Sequence, residues 1–322
     1  MYEYWMNRLT KRSDRHEGWC DHGRHIIGRE ISLKTGEEML KMLDPAKYEA
    51  VPVVINKKGE LAEKVRGLDL ALLALHGAFG EDGTVQAVLE SLGIPYTGSG
   101  VLSSAICMDK DMSKRLLRAA GIKVADWLCW NHIDEFAPEA VEKLGYPVIV
   151  KPSSGGSSIG MAKVNSPDGL RADVTEAFRW DRSVMVERYV PGMEITCPIL
   201  DGETLPIIGI VPMAAEWFDY DAKYTENGAQ EQVAVLPAEL EHKVRRIAQD
   251  CYRTLKCSVY ARVDMILSDG VPFVLEVNTL PGMTSASLLP RSAKAAGLTF
   301  SGLLDAIISA SLKERGVPVY VR

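Results

Sequence analysis

The 322-residue sequence lacks several features that would assign it at once to a familiar class. Its six cysteines show neither metal-ligand nor disulfide spacing, so we expect a reducing, cytoplasmic environment. No apolar run reaches the roughly 18 residues of a membrane span, and no signal-peptide pattern opens the chain. A net charge of −6 disfavours a general nucleic-acid binder. No G-x-G-x-x-G motif opens a βαβ unit, which disfavours a dehydrogenase.

The residues that are present predict a layered α/β protein. Hydrophobic residues make up 47% of the chain, and the length suggests two or three packed domains. Apolar strand candidates at 51–55 and 68–75 alternate with helical patterns at 37–43 and 85–92. Such alternation is typical of a parallel α/β layer.

Two predicted strands near the C-terminus carry the most informative side chains. Residues 260–267 and 271–277 are apolar-rich and are joined by a turn, so Asp264, Glu276 and Asn278 can converge. Two carboxylates and an amide oxygen suit a hard cation such as Mg2+. A surface turn with solvated acids is the ordinary alternative, but charges within apolar strands are costly unless they are paired. We therefore predict a metal site.

A second motif follows a predicted strand that ends at Lys151. The loop at 152–160 is rich in glycine and serine, which let backbone N–H groups approach phosphate, while the lysine adds a positive charge. It differs from the P-loop because the lysine precedes the glycines. Such a loop is more often a plain linker, but the lysine and the strand favour phosphate binding.

Three weaker candidates lie at predicted strand ends. Glu187 and Glu194 flank a Pro-Gly break at a predicted domain joint, where nucleotides commonly bind, although solvated glutamates are the usual alternative. His76 is followed by glycines at the C-terminal end of a buried strand, where ligands gather in α/β sheets. A lone histidine is usually structural, but this one is placed to contact a substrate.

Taken together and in this order, the motifs resemble the D-alanine–D-alanine ligases of the ATP-grasp superfamily. The resemblance covers about nine-tenths of the chain and is carried by Arg29-Glu30-Ile31-Ser32-Leu33, the His76 segment, Tyr96-Thr97-Gly98-Ser99-Gly100, Met108-Asp109-Lys110, the Lys151 loop and residues 278–284. It implies a three-domain α/β ATP-grasp ligase. Its parts would be an N-terminal parallel α/β (preATP-grasp) domain at 1–107 and two α+β subdomains that clasp ATP, at 108–191 and 192–322.

The resemblance also implies a role for each matching residue. Lys110 and Lys151 would hold ATP phosphates, Glu187 and Glu194 adenine and ribose, and Asp264, Glu276 and Asn278 two Mg2+ (or Mn2+) ions. The implied catalytic group is Arg262, Ser157, Tyr224 and the backbone at Gly282. The implied substrate contacts are His76 (with Ser157) for the first D-alanine, Ser287 with Leu288 for the carboxylate of the second, and Lys223 beside Tyr224 on a closing loop.

The activity implied is an ATP-dependent ligation that supplies a peptidoglycan precursor. The first D-alanine carboxylate would attack the ATP γ-phosphate, and the amine of the second would displace phosphate from the acylphosphate. We expect a cytoplasmic homodimer that needs neither nucleic acid nor membrane. The alternatives are a related ligase for D-serine or D-lactate, of which Tyr224 disfavours D-lactate, and a nucleotide-binding protein inactivated by its N-terminus.

Residues 1–28 depart from the resemblance. The family opens with an apolar strand, a Gly-Gly turn and a glutamate that binds the ammonium of the first D-alanine, whereas this chain has Gly28 at the glutamate position and no evident strand. We hypothesise a wrong reading frame. Back-translating residues 16–28, shifting by one base and restoring one base gives Met-Lys-Val-Gly-Val-Ile-Met-Gly-Gly-Thr-Ser-Ser-Glu. A divergent extension is the alternative.

Overall fold

The computed structural model describes residues 4–8, 24–156, 160–212 and 229–317, with the backbone alone at 4–8, 24–28, 212 and 229. Its α-helices are α1 (Arg24–Met42), α2 (Leu61–Lys64), α3 (Thr84–Ser91), α4 (Val101–Met108), α5 (Lys110–Ala119), α6 (Pro138–Leu144), α7 (Leu170–Phe178), α8 (Ala238–Thr254), α9 (Leu288–Ala295) and α10 (Phe300–Glu314). Its strands are β1 (Tyr4–Arg8), β2 (Val51–Ile55), β3 (Leu72–Ala74), β4 (Trp127–Trp130), β5 (Val148–Pro152), β6 (Ala162–Val164), β7 (Val184–Arg188), β8 (Met193–Leu200), β9 (Glu203–Thr204), β10 (Ile208–Pro212), β11 (Ala229–Val233), β12 (Tyr260–Ser268) and β13 (Val271–Asn278).

The described strands form three sheets that follow one another along the chain. The N-terminal sheet has the order β2-β1-β3, and the central sheet has the order β4-β7-β5-β6. The C-terminal sheet has the order β11-β10-β8-β12-β13, with β9 paired to β8. One sheet lies within each of the three predicted parts, and the division into domains stays a prediction.

The predicted hairpin near the C-terminus is confirmed. Strand β12 pairs antiparallel with both β13 and β8, so it lies inside the C-terminal sheet. A register shift between Asp264 and Met265 interrupts its pairing with β13. The turn that leads into β8 contains Gly192, whose φ is +156° and where any side chain would collide with the carbonyl oxygen of Leu267. Glycine is therefore required where the two backbones approach.

The prediction that residues 1–28 hold no strand is wrong. Strand β1 lies between β2 and β3 and runs antiparallel to both. The predicted parallel layer is therefore interrupted at its centre. Tyr4 and Trp5 are residues with high strand propensity, and this signal was available in the sequence. Propensity indicates a strand but not its direction, which depends on the path of the chain. Gly28 lies within α1.

Three hydrophobic cores hold the sheets and helices together. The first core combines the N-terminal sheet with α9 and α10, so the two ends of the described chain share one core. The second lies between α8 and the C-terminal sheet, and the third between α7 and the central sheet. Within the described residues, no single helix is long and apolar enough to cross a membrane, and α9 with α10 meets that test only as a pair bent by 103°.

Candidate active site

The hairpin β12–β13 brings the predicted metal ligands together. Asp264 is the cross-strand partner of Glu276, and Arg262 is the partner of Asn278. Asp264 is buried and Glu276 is half-buried. Two carboxylates directly opposite each other repel and destabilise a sheet unless cations lie between or beside them. The arrangement therefore requires positive charge.

Asp264 receives part of that charge from Arg262. The Arg262 guanidinium donates from Nε to Oδ1 at 2.9 Å and from the terminal nitrogen to Oδ2 at 2.8 Å. The Thr196 hydroxyl donates to Oδ1 at 2.6 Å. Burial alone would lower the pKa of Arg262, but Asp264, with Glu276 and Glu194 at longer range, raises it overall. The guanidinium is therefore permanently charged in this site.

Glu276 receives positive charge from the adjacent helix. Lys110, the first residue of α5, lies with Nζ 3.2 Å from Oε2 of Glu276 and also donates to the carbonyl oxygen of Gly155. The backbone N–H of Lys110 donates to the carbonyl oxygen of Ser153 at 3.1 Å. The lysine thus connects the Gly/Ser loop to the hairpin, and its phosphate role stays a prediction.

The donor set of the hairpin fits a divalent cation chemically. Asp264, Glu276 and Asn278 offer oxygen atoms alone, the preference of Mg2+, and the Oδ1 of Asn278 accepts from the Leu280 N–H at 3.0 Å. No group of three His, Cys, Asp or Glu side chains in the described part of the chain is arranged to hold a metal. The predicted set has two carboxylates and an amide, so the metal stays a prediction.

Glu81 is a site residue that the sequence analysis did not identify. Its Oε2 accepts from the Gly77 N–H at 2.5 Å. Burial, opposed by that hydrogen bond, and then the charge of Glu276 raise the pKa of Glu81 to about 7, although Lys110 and Arg262 act to lower it. This carboxyl, five residues after His76, therefore belongs to the same electrostatic cluster as the hairpin.

His76 joins the cluster from the N-terminal sheet. Its Nε2 lies 3.2 Å from Oγ1 of Thr35, and its backbone N–H donates to Oγ of Ser32 at 3.0 Å. Both partners lie on α1, so the Arg29–Leu33 motif and the His76 segment do meet. Burial and then the charge of Arg262 lower the pKa of His76 to about 4. The imidazole is neutral at neutral pH and can accept or donate one hydrogen bond.

Two of the four predicted nucleotide residues, Lys151 and Glu187, form a second, buried group with Lys114. Lys151 at the end of β5 donates to Oε1 of Glu187 on β7, and Nζ of Lys114 lies 2.8 Å from Oε2. Burial alone would raise the pKa of Glu187, but Lys114 and Lys151 lower it to about 2. Burial also lowers the pKa of Lys151, and the charges of Lys114 and Lys110 act in the same direction against that of Glu187. Lysines outnumber carboxylates here, which suits an anionic ligand.

The remaining predicted residues divide into two sets. Ser287 immediately precedes α9 and its Oγ accepts from the Thr284 N–H at 3.0 Å, while Leu288 is the first residue of that helix. A Cβ at Gly282 would lie 3.0 Å from the Ser287 Oγ, so these two positions touch. Glu194 lies on β8 within the electrostatic range of Arg262. Predicted residues outside the described part of the chain are Ser157, Lys223 and Tyr224.

Besides Glu81, sequence reasoning missed Lys114 and Thr196. Lys114 follows Lys110 by four residues, so helical spacing places both on one face of α5, and this signal was available. Thr196 contacts Asp264 across two strands that are far apart in sequence. No local pattern reveals such a partner.

Comparison with known proteins gives one consistent result. The family model described as the D-ala D-ala ligase N-terminus matches residues 60–99, and the one described as the D-ala D-ala ligase C-terminus matches residues 116–309. The D-alanine–D-alanine ligase A of Bacillus cereus is 52% identical over 287 residues, which are 89% of this chain and 95% of that protein. The D-alanine–D-alanine ligase of Bacillus anthracis is 54% identical over 287 residues, 89% of this chain and 94% of that protein.

Solved structures of related ligases are also similar to this chain. The structure of the Bacillus anthracis ligase complexed with ATP has a TM-score of 0.81 and 48% identity, covering 91% of this chain and 95% of that one. The VanG D-Ala:D-Ser ligase of Enterococcus faecalis is more distant, with a TM-score of 0.74 and 30% identity over 88% of this chain and 95% of that one.

Proposed function

The chain belongs to the D-alanine–D-alanine ligase family, and we propose on that premise that it joins two D-alanines in an ATP-dependent reaction for peptidoglycan synthesis. One observation supports the site assignment most directly. The buried carboxylate of Asp264 lies opposite that of Glu276, and each is paired with a cation, Arg262 or Lys110. Carboxylates with a fixed cation beside each suit a reaction that transfers a phosphoryl group.

The nucleotide is assigned to the junction of the central and C-terminal sheets. Lys110 and Lys151 would bind its phosphates, and Glu187 and Glu194 its adenine and ribose. Asp264, Glu276 and Asn278 would hold two Mg2+ or Mn2+ ions, which when bound neutralise charge on the phosphate oxygens. Positioning and fixed positive charge are the chief contributions that a protein makes to such a transfer.

The two amino-acid substrates are assigned to the side of the hairpin that faces the N-terminal sheet. His76 would contact the first D-alanine, together with Ser157. Ser287 and Leu288, at the start of α9, would bind the carboxylate of the second. Arg262 and the backbone at Gly282 would stabilise the tetrahedral centre that forms when the second amine attacks. The lid pair Lys223 and Tyr224 would exclude water from the acylphosphate.

We assign the protein to the cytoplasm as a homodimer, on the family expectation. A second substrate other than D-alanine gains no support from the comparisons, since the D-Ala:D-Ser ligase is the more distant relative. The comparisons likewise give no support to a nucleotide-binding protein without catalysis.

The experiment that tests the function measures phosphate release from ATP and Mg2+ with D-alanine, D-serine or D-lactate, and identifies the product by mass spectrometry. We expect release that depends on D-alanine and yields D-alanyl-D-alanine. Release that depends equally on D-lactate would overturn the substrate assignment. ATP binding without release for any substrate would overturn the catalytic assignment.

A further inference from the structure

Lys114 is a buried cation to which the proposed reaction gives no role. Its side chain is 0% exposed, and its Nζ lies 2.8 Å from Oε2 of Glu187. Among the described residues neither atom makes a well-directed hydrogen bond, so the contact is an ion pair with unused donors and acceptors. Lysine is almost never fully buried unless it is paired, because an isolated charge in the interior is costly.

The surroundings of Lys114 hold it in one place. The Asp109 side chain caps the start of α5 by accepting from the Met112 N–H at 3.0 Å. On β4, Trp127 donates from its indole N–H to Asp111 at 2.7 Å, and the centre of its ring lies 5.8 Å from the Lys114 Nζ. Trp127 is also the cross-strand partner of Glu187. Helix and strand therefore fix the ammonium against the carboxylate.

We propose that Lys114 is a positioning residue of the nucleotide site. Its ammonium holds Oε2 of Glu187, so that the carboxylate keeps one orientation in which it also holds Lys151 and accepts hydrogen bonds from the nucleotide. The proposal rests on the proposed nucleotide role of Glu187. A carboxylate has about four lone-pair sites, so two lysines leave sites for a ligand donor.

The presence of Lys114 affects Lys151 as much as it affects Glu187. With Lys114 present, two cations share one carboxylate, and the Lys151 ammonium keeps donors for a phosphate oxygen. Without Lys114, Lys151 is the one remaining cation of this trio and would be drawn more strongly to Glu187. Nucleotide affinity would fall, whereas the reacting atoms near Arg262 would be unaffected. The effect of Lys114 should therefore be on ATP binding and not on the chemical step.

A purely structural ion pair would behave differently. It would stabilise the contact between α5 and the central sheet, and its loss would lower the free energy of unfolding without changing ATP affinity in the folded protein. The two interpretations are separated by measuring ATP binding directly and by asking whether the effect requires Glu187. Effects of two residues that act as one unit are not additive.

The test uses Lys114→Met, Glu187→Gln and the double variant in the full chain, with the Kd for ATP measured by calorimetry and kcat from phosphate release. Lys114→Met should raise both the Kd and the KM for ATP about tenfold or more, as for the loss of a charged contact, with kcat within about threefold. In the Glu187→Gln background it should add less than about twofold. Additive effects, or an unchanged Kd, would overturn the proposal.

The matched control is Arg118→Met. Arg118 lies 4.2 Å from the centre of the same Trp127 ring but pairs with Asp126, so ATP binding should stay within about twofold of the original protein. If Lys114→Met does not fold, Lys114→Gln replaces it, with the same requirement of non-additivity. If Glu187→Gln leaves the Kd for ATP unchanged, the nucleotide role of Glu187 and this proposal both fail. Because ATP binding is read directly, an absence of ligation does not affect the result.

Discussion

The N-terminal and C-terminal sheets of this molecule differ in how well the sequence pattern predicts their strands, the direction of those strands and the chemistry of their side chains. In the C-terminal sheet, β12 lies between two antiparallel neighbours, and its charged residues Arg262 and Asp264 pair with each other. In the N-terminal sheet, the central strand β1 comes from the segment that departs from the family pattern. It lies antiparallel between β2 and β3.

The difference shows that a gap in a sheet can be filled without restoring its chemistry. The backbone of β1 pairs with both neighbours, so the inner edges of β2 and β3 are not left unpaired. The family pattern, however, expects a glutamate at the position of Gly28, and glycine offers no carboxylate. In the N-terminal sheet, strand pairing is thus kept although the expected substrate-binding carboxylate is absent. In the C-terminal hairpin, the same strands form both the fold and the candidate site.

The largest expected effect comes from Arg262→Lys, which tests the C-terminal side of the comparison. Lysine cannot reproduce the two parallel hydrogen bonds to Asp264, and it places its charge at a single point. We expect kcat for D-alanyl-D-alanine formation to fall about 10²- to 10³-fold, the range typical of losing one transition-state donor. Arg253→Lys is the control, because Arg253 forms an exposed pair with Asp250. Equal losses in both variants would contradict the assignment.

The next largest effect is expected from Met6→Pro, which tests whether β1 is a structural part of the N-terminal sheet. Met6 pairs with Val53 on one side and Leu73 on the other, and proline removes a backbone donor from such a position. We expect a loss of about 3 kcal/mol in the free energy of unfolding, taking the cost of proline in a helix interior as the guide. Urea unfolding measures it, with Val263→Pro in β12 as the matched substitution.

Hydrogen exchange of the backbone amides in β2 and β3 is a second test of whether β1 is a structural part of the sheet. Those amides should exchange faster in Met6→Pro than in the original chain, because their sheet loses its centre. If Val263→Pro destabilises the protein while Met6→Pro changes neither unfolding nor exchange, the first strand contributes nothing to the sheet.

The fold was predictable from the sequence where local pattern and long-range pairing agree. The hairpin of β12 and β13, with its apolar runs and its Asp-Gly turn, formed within a residue of the predicted bounds. The strand predicted at 68–75 is shorter, Leu72–Ala74, because buried apolar residues need not join a ladder. The direction of β1 was not predictable, since no local signal encodes which way a strand enters a sheet.

The candidate site was predictable where its residues lie in motifs with fixed spacing. Asp264, Glu276 and Asn278 follow from the two-residue period of a strand, and Lys151 follows from its position before a Gly/Ser loop. Glu81 and Thr196 were missed, because their roles depend on partners brought close by tertiary folding. Lys114 could have been found from its spacing to Lys110.

A smaller effect concerns Glu81, which follows β3 in the N-terminal part and is influenced by Glu276 in the C-terminal hairpin. Its pKa is raised from 4.5 to about 7, so the folded protein holds this proton more tightly than the unfolded chain does. The contribution of Glu81 to the free energy of unfolding is therefore complete below pH 4.5 and is lost as the pH rises to about 7. That loss is at most about 3 kcal/mol.

Urea unfolding of the metal-free, nucleotide-free protein at several pH values checks this prediction. Glu81→Gln mimics the neutral carboxyl, so it should lack the decline that the original chain shows. His76, whose pKa is lowered to about 4, titrates in both proteins, and the difference between them isolates Glu81. Exposed Glu139→Gln is the control and should keep the decline. Parallel curves for the Glu81→Gln variant and the original chain would show that the pKa of Glu81 is not raised in the folded protein.

The last prediction concerns the N-terminal segment, residues 1–28, which contains β1. A chain in which Met-Lys-Val-Gly-Val-Ile-Met-Gly-Gly-Thr-Ser-Ser-Glu directly precedes Arg29 should have a KM for D-alanine about ten- to a hundredfold lower than the chain as printed. A charge-assisted hydrogen bond to the substrate ammonium is worth roughly 1.5–3 kcal/mol. The Kd for ATP should be unchanged, because the lysines of the nucleotide site lie elsewhere.

The same peptide ending in Gln instead of Glu separates the carboxylate from the strand. If the carboxylate matters, the Gln version keeps the stability of the reframed chain but returns to the higher KM. If the Gln and Glu versions bind D-alanine equally well, any gain comes from the parallel strand, and the antiparallel β1 is then the defect. If all three chains have the same KM, β1 replaces the family strand in function as well as in pairing, and the reading-frame hypothesis loses its physical motive. Sequencing the first codons of the gene on both strands then decides its origin independently of activity.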